Sequence, residues 1–230
     1  MTAPGSTRRH LITGSGSGIG RVVTERLLAR GDEVWALVRT PGRAPAGCVE
    51  VLADLADADA IAGLGEASDL PDALDSVVHA AGAVELGPIA ELSAAAWRDQ
   101  LAVNLIAPAV LTRVVLPQLR AARGTVVFVN SGAGLRANPG WSAYAASKFG
   151  LRALADALRE EEAGTGVRVT STFPGRTATA MQEKVHAQEG REYDEGRWIR
   201  PETVADAIVH AIDLPRDAAM PEISIRPASA

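Results

Sequence analysis

Several features of secreted, membrane-bound and nucleic-acid-binding proteins are missing from this sequence. It has one cysteine, Cys48, so it can hold no internal disulfide framework. Residues 1–9 contain no apolar stretch suited to a signal-peptide core, and no later run approaches the roughly 18 uninterrupted apolar residues of a membrane span. The 23 Lys and Arg residues are scattered and the net charge is −5. We therefore expect a cytoplasmic protein with no nucleic-acid or membrane partner and no metal site.

The apolar residues that are present follow an alternating plan of short strands and longer helices. Continuous apolar runs predict strands at 10–13, 33–39, 49–52, 76–80, 125–130, 167–173 and 222–225. Helical patterns predict helices at 18–30, 57–66, 93–120, 142–163 and 201–212. This order predicts an α/β fold, a Rossmann-type doubly wound, seven-stranded and mostly parallel sheet with helices on both faces. We expect one domain over residues 1–230, with 176–200, a polar segment and the least regular stretch of the sequence, as a substrate lid.

A glycine-rich loop joins the first predicted strand to the first predicted helix. Residues 13–20 are TGSGSGIG, in which Gly14, Gly18 and Gly20 have the spacing T-G-x-x-x-G-x-G. Glycines let a backbone turn tightly and approach a pyrophosphate, and the following helix N-terminus attracts its charge. A plain turn is the alternative, but the flanking strand and helix favour dinucleotide binding. Residues expected to contact the cofactor here are Gly14, Ser15, Ser17, Gly18 and Ile19.

The end of the second predicted strand favours NADP(H) over NAD(H). An NAD site places a carboxylate there for the ribose 2′-hydroxyl, whereas a 2′-phosphate needs an arginine. The chain offers Val38, Arg39 and Thr40, and Arg39 can bind a phosphate through paired hydrogen bonds. Arg43 is a second candidate, and an ordinary surface arginine is the alternative for Arg39.

A tyrosine and a lysine, Tyr144 and Lys148, stand four residues apart near the start of a predicted helix and so share a face. A nearby ammonium, with the charge of an oxidised nicotinamide, would lower the tyrosine pKa and make it a useful acid–base. Ser131 follows a buried strand, at the sheet edge where open α/β folds place their sites. Asn104 lies among apolar neighbours inside a helix, where an amide needs a hydrogen-bonding role.

Taken in order, these motifs resemble the short-chain dehydrogenase/reductase family over essentially the whole chain. The motifs are TGSGSGIG, Asp54, the HAAG of residues 79–82, Asn104, Ser131, Tyr144 with Lys148, and Pro174-Gly175. The resemblance implies a tetrad in which Tyr144 is the acid–base, Lys148 binds the nicotinamide ribose, Ser131 polarises the carbonyl, and Asn104 positions Lys148 through water. It also implies further cofactor contacts at Asp54, Leu55, Ala81, Gly82, Pro174, Gly175 and Thr179. A helix-capping role is the alternative for Asp54.

The implied activity is NADPH-dependent interconversion of a small carbonyl compound and its secondary alcohol, by a homodimer or homotetramer. A catalytically silent NADP(H)-binding sensor on the same fold is the alternative, although such sensors are expected to lack the tyrosine or lysine. The family usually has Asn-Asn-Ala-Gly where this chain has His79 and Ala80, and we interpret His79 as structural rather than proton-carrying. The C-terminal residues 201–227 resemble the subgroup that includes NADP-dependent 3-hydroxy-acid (serine-type) dehydrogenases. Residues proposed for the substrate side are Arg136, Trp141, Met181 and Trp198.

Overall fold

The sheet has the predicted architecture. A computed structural model describes residues 7–67 and 70–228 and shows a seven-stranded sheet of order β3-β2-β1-β4-β5-β6-β7, with every strand pairing parallel. The strands are β1 Arg9–Thr13, β2 Glu33–Val38, β3 Val49–Leu52, β4 Ser76–His79, β5 Thr125–Val129, β6 Arg168–Pro174 and β7 Glu222–Ile225. The Rossmann-type α/β fold is confirmed, since each strand lies within about one residue of its predicted bounds.

Helices cover both faces of the sheet. They are α1 Gly18–Ala29, α2 Ala58–Ala67, α3 Ala94–Leu101, α4 Ala107–Ala122, α5 Ser142–Glu161, α6 Ala180–Gln188 and α7 Pro201–Asp213. Alternate strand residues point to opposite faces, so Leu11 packs in a core with α2, α4 and α5, while Ile12 packs with α1 and α7. Burial on both faces explains why the strands are continuously apolar.

The long helix predicted at 93–120 is interrupted. Ser93 caps α3 by accepting a hydrogen bond from the Ala96 N–H at 3.1 Å, as expected. A π-helical turn, Ala102–Ile106, then separates α3 from α4. Pro108 lies in the first turn of α4, directly after the π-turn, and Pro117 lies inside α4. The π-turn holds Asn104, and such turns often occur at functional sites.

Within the described part of the chain, the helical run Ala94–Ala122 is long and apolar enough by composition to cross a membrane. Its best window has a mean hydropathy of 1.5, and 39% of that window is buried inside the fold. Leu111, Val115 and Leu119 from this run belong to the core beneath the sheet. A core helix passes the same test, so the run is weak support for a membrane span.

The segment 176–200 is more regular than the sequence suggested. It contains the nine-residue helix α6 and a 3₁₀ turn, Glu195–Arg197. Its two ends are joined, because Ala178 N–H donates to Ile199 O at 2.8 Å and Ile199 N–H donates to Arg176 O at 3.1 Å. The segment therefore leaves the sheet after β6 and returns to nearly the same place before α7.

Candidate active site

The glycine loop after β1 has a conformation that only glycine accommodates at two positions. Gly14 has φ 74°, and a Cβ on it would lie 2.7 Å from the Ala81 backbone N. A Cβ on Gly20 would lie 2.4 Å from the Gly14 carbonyl O. The loop therefore packs closely against the end of β4. A crevice lies at this point, where the strand order reverses between β1 and β4.

The N-terminus of α1 points into this crevice with its amides available. Ser17 is the N-cap residue, and its side chain makes no capping hydrogen bond within the described structure. The first turn carries no acidic residue, so the positive end of the helix dipole is not neutralised locally. Gly14, Ser17, Gly18 and Ile19 line the crevice, and this arrangement fits a pyrophosphate. Ser15 is fully buried and its hydroxyl has no partner among the described residues.

A cleft of about 430 Å³ extends from the glycine loop past the ends of β4, β5 and β6. Most of the predicted site residues line it: Gly14, Ser17, Gly18, Ile19, Ala81, Gly82, Ser131, Tyr144, Lys148, Pro174, Gly175 and Thr179. Five predicted residues lie outside its walls, namely Ser15, Arg39, Asp54, Leu55 and Asn104. The sequence therefore predicted the centre of the cleft better than its outer end.

Tyr144 and Ser131 meet at the centre of the cleft. Tyr144 is 7% exposed, and burial raises the pKa of its phenol, while a hydrogen bond with the Ser131 hydroxyl acts in the lowering direction. The net shift of the Tyr144 pKa is upward. The lowering that we expected from Lys148 and an oxidised nicotinamide is therefore not seen for the chain without a cofactor. The Ser131 Oγ accepts a hydrogen bond from the Ala133 N–H at 3.1 Å. That bond leaves the hydroxyl proton of Ser131 available for donation.

Lys148 is buried beside the tyrosine. Its Nζ donates to the Val129 carbonyl O at 3.0 Å and lies 5.9 Å from the centroid of the Tyr144 ring. Burial lowers the pKa of the Lys148 ammonium to about 8. The β5 strand end thus fixes the ammonium in the cleft, beside the Tyr144 ring.

Asn104 braces the backbone behind the cleft. Its side-chain amide forms two 2.8 Å hydrogen bonds with the N–H and C=O of Ala83, and its Nδ2 donates to Ser147 Oγ at 3.0 Å. Asn104 is fully buried, and its amide is hydrogen-bonded as expected for an amide among apolar neighbours. Its described contacts reach the Tyr144 helix through Ser147 rather than through Lys148 directly.

The loop after β6 crosses the cleft. Pro174 ends β6, and Gly175 N–H donates to Ile225 O at 2.8 Å. Thr179 lies against the glycine loop, since its Cγ2 is 3.2 Å from the position of a Cβ on Gly18. It also caps α6 by accepting from Gln182 N–H at 3.3 Å.

Arg39, Asp54 and Leu55 lie at the ends of β2 and β3, on the same edge of the sheet as the cleft. Arg39 is exposed directly after β2. Asp54 is exposed and accepts from the Ala56 N–H at 2.9 Å. The capping role considered for Asp54 is wrong, because Asp57 accepts the N–H bonds of the first turn of α2.

The turn after β2 is held by Glu50 of β3. The carboxylate of Glu50 accepts hydrogen bonds from Gly42 N–H at 2.8 Å and Ala44 N–H at 3.0 Å. These two bonds, with a third from the Arg43 backbone, lower the pKa of the Glu50 carboxyl. The turn that carries Arg43 is therefore fixed near Arg39.

The residues proposed for the substrate side divide into two groups. Trp141 and Met181 line the cleft, and Trp141 packs edge-on against Tyr144 with ring centroids 5.8 Å apart. Arg136 is exposed and does not line the cleft, and Trp198 lies behind the wall. Sequence reasoning missed Arg176, which does line it. The signal available was its position directly after Pro174-Gly175.

His79 lies outside the cleft walls. It is 2% exposed, stacks on Phe128 at 5.0 Å between centroids, and its Nε2 is 2.9 Å from Thr112 Oγ1. Burial lowers the pKa of His79 to about 3. The structure therefore supports the interpretation of His79 as structural.

Helix α6 covers the cleft and is fastened to the loop after β4. Lys184 Nζ donates to the Val84 carbonyl O and to the Glu85 carboxylate, both at 2.8 Å. Gln188 Nε2 donates to Glu85 at 2.7 Å, and its Oε1 accepts from Leu86 N–H at 3.1 Å. These polar contacts hold α6 across the mouth of the cleft.

Comparison with known proteins agrees with this geometry. The family model described as short chain dehydrogenase matches residues 8–190. An uncharacterized short-chain type dehydrogenase/reductase of Sinorhizobium fredii is 30% identical over 227 residues, covering 94% of this chain and 90% of that protein.

Two solved structures show the fold with its nucleotide. A putative NAD(P)-dependent gluconate 5-dehydrogenase from Beutenbergia cavernae, with bound NADP, has a TM-score of 0.82 and 31% identity, covering 96% and 95% of the two chains. A 4-hydroxyisoleucine dehydrogenase complexed with NADH has a TM-score of 0.82 and 28% identity, covering 96% and 97%. Matched along most of its length by family, sequence and fold, the chain belongs to the short-chain dehydrogenase/reductase family and is an oxidoreductase of the nicotinamide-dependent kind.

Proposed function

We propose that this protein is an NADPH-dependent oxidoreductase that interconverts a small carbonyl compound and its secondary alcohol. The observation that carries the proposal is the meeting of Ser131, Tyr144 and Lys148 in one cleft that begins at the uncapped N-terminus of α1. A nicotinamide bound in this cleft supplies or accepts the hydride. The chain supplies positioning and the proton.

In the reducing direction, the Tyr144 phenol donates its proton to the substrate oxygen as negative charge develops there. Ser131 donates a second hydrogen bond to the same oxygen, because the Ala133 N–H occupies one lone pair of its Oγ and leaves the hydroxyl proton available. Lys148, fixed by the Val129 carbonyl, binds the cofactor ribose and favours the phenolate that remains on Tyr144. Asn104 acts as a positioning residue for the Tyr144 helix through Ser147. It also positions Lys148 through water, so that protons can pass between these groups.

Preference for NADPH is supported by charge at the end of β2. Arg39 is exposed there with no acidic residue at positions 38–40, and the neighbouring turn carries Arg43. Glu50 is the closest carboxylate described for this turn, and its charge is engaged by backbone N–H groups. A 2′-phosphate would therefore meet two guanidinium groups, with Asp54 and Leu55 nearer the adenine.

The test measures NADPH and, separately, NADH oxidation with small aldehydes, ketones and 3-oxo acids. We expect turnover with NADPH that Tyr144→Phe abolishes, and a lower NADPH preference in Arg39→Ser. Faster turnover with NADH contradicts the cofactor assignment alone. Tight NADPH binding without turnover favours the catalytically silent sensor.

Three further properties are part of the proposal. The segment 176–200 acts as the substrate lid. The protein is a cytoplasmic homodimer or homotetramer that pairs through its two long helical segments, where Ile106 and Phe149 are 44% and 42% exposed. Light scattering coupled to gel filtration tests the assembly, and a monomer contradicts it.

A further inference from the structure

Arg176 occupies an unusual position in the wall of the cleft. Its guanidinium carbon lies 5.9 Å from the ring centroid of Trp141 and 5.4 Å from that of Trp198. Trp141 in turn contacts the ring of Tyr144 edge-on. One indole therefore separates the guanidinium from the phenol proposed to act as the acid–base.

The hydrogen bonds of Arg176 are incomplete. Both carboxylate oxygens of Glu189 accept from the same nitrogen, Nη2, at 2.8 Å each. The other terminal nitrogen, Nη1, is buried and has no hydrogen-bond partner among the described residues. The neighbouring Trp198 Nε1 is also buried without a partner there. Buried N–H groups usually have an acceptor, so two such donors on neighbouring side chains indicate a missing acceptor.

Two further guanidinium groups lie in the surroundings of Arg176. Glu189 is shared, since Arg191 Nη1 lies 4.0 Å from its second oxygen. A third guanidinium, that of Arg197, lies 6.0 Å from the Trp198 ring. Flat, delocalised guanidinium groups bind carboxylates through paired hydrogen bonds, and aromatic rings on both sides hold the plane in place.

We propose that Arg176 determines substrate specificity by binding a carboxylate, so that the substrate is a small oxo acid or the corresponding hydroxy acid. The wall of the cleft has to shift to uncover the buried Nη1 of Arg176 for the carboxylate, and the same shift makes the buried Trp198 Nε1 a second donor. The carbonyl or hydroxyl group then faces Ser131 and Tyr144. This inference rests on the proposed function and adds the chemical class of its substrate.

The experiment compares 3-oxo acids of increasing length with their methyl esters, under saturating NADPH. The ester keeps the reacting carbonyl and removes the charge. We expect wild type to prefer the acid, and Arg176→Gln to lower kcat/KM for the acid by about 30-fold while changing kcat/KM for the ester by less than about 3-fold. Arg216→Gln is the matched control, because it removes an exposed arginine that does not line the cleft and leaves both values unchanged.

Two results overturn the inference while leaving the proposed function intact. One is wild-type turnover of the ester equal to that of the acid. The other is an equal loss of kcat/KM for acid and ester in Arg176→Gln. That result would show that the ion pair between Arg176 and Glu189 only holds α6 in place. Absence of turnover with every carbonyl compound instead contradicts the proposed function.

A second measurement needs no variant, in case Arg176→Gln does not fold. Non-reacting carboxylates and the matching primary amides are tested as inhibitors of wild-type reduction of a neutral ketone. Competitive inhibition by the carboxylates at concentrations about 10-fold lower than the amides supports the inference. Equal inhibition by both overturns it.

Discussion

His79, at the end of β4, gives the stability of this protein a pH dependence that one substitution should remove. The imidazole is 2% exposed, stacks on Phe128 and hydrogen-bonds Thr112, and burial lowers its pKa to about 3, from about 6.5 for a histidine in water. The folded chain therefore keeps His79 neutral over a range in which the unfolded chain binds a proton. The stability contribution that comes from neutral His79 is fully present above about pH 6.5 and is lost as the pH falls toward 3.

The size of the effect follows from the two pKa values. At pH 5, which is about 1.5 units below the pKa of a histidine in water, proton binding to the unfolded chain lowers the free energy of unfolding by about 2 kcal/mol. At pH 7.5 this contribution is close to zero. Carboxylates and other histidines add their own pH dependence, but they contribute equally to wild type and to His79→Asn. The difference between the two proteins isolates His79.

The assay is urea unfolding at pH 7.5 and pH 5, at one protein concentration. Between these pH values we expect the wild-type free energy of unfolding to fall by about 2 kcal/mol more than that of His79→Asn, a relative midpoint shift of about 1 M urea. His210→Asn, which removes an exposed histidine of α7, is the control and should follow wild type. Parallel pH dependence in wild type and His79→Asn, within about 0.5 kcal/mol, would refute the reasoning.

Three other substitutions test the walls of the cleft. Asn104→Leu removes the side-chain partners of the Ala83 N–H and C=O. We expect the free energy of unfolding to fall by about 3 kcal/mol, measured as a fall of roughly 10 °C in Tm. An unchanged Tm contradicts the bracing role of Asn104. Gly14→Ala forces a Cβ to 2.7 Å from Ala81 N at φ 74°, so NADPH affinity measured by fluorescence should fall at least about 10-fold. Glu50→Gln loosens the turn after β2, which should raise the Kd for NADPH about 5-fold and leave that for NADH unchanged; equal changes in both contradict the assignment of this turn to the 2′-phosphate.

The strands and the centre of the site could be predicted from the sequence because their signals are local. A parallel strand buried on both faces must be continuously apolar, and the apolar run at 125–130 therefore identified β5. Tyr144 and Lys148 are separated by one helical turn, so their spacing alone placed them on one face. Ser131 followed from its place at a strand end.

Other features depend on contacts between distant segments and left little local signal. The π-turn around Asn104 forms where the side chain reaches Ala83, which comes 21 residues earlier in the chain. Helix α6 has few apolar residues on its surface and is held by polar bonds from Lys184 and Gln188 to the loop after β4. Its polar sequence was therefore interpreted as an irregular lid.

Arginine positions were the least predictable part of the site. Arg136 and Arg176 both follow strands at the edge where the cleft lies, and the Pro174-Gly175 pair before Arg176 is the local difference between them. The structure distinguishes them because Trp141, from the start of α5, and Glu189 and Trp198, from the segment 176–200, surround Arg176. Arg136 is exposed.

The joined ends of the segment 176–200 have a consequence for how this protein can change over evolution. Because Arg176 and Ala178 are hydrogen-bonded to Ile199, the exit from β6 and the entry to α7 stay fixed whatever lies between them. Insertions, deletions or whole replacements inside this span alter the cover of the cleft without shifting the sheet or the proton-transfer groups. The segment is thus an exchangeable module, through which substrate range can diversify while the catalytic framework is inherited unchanged.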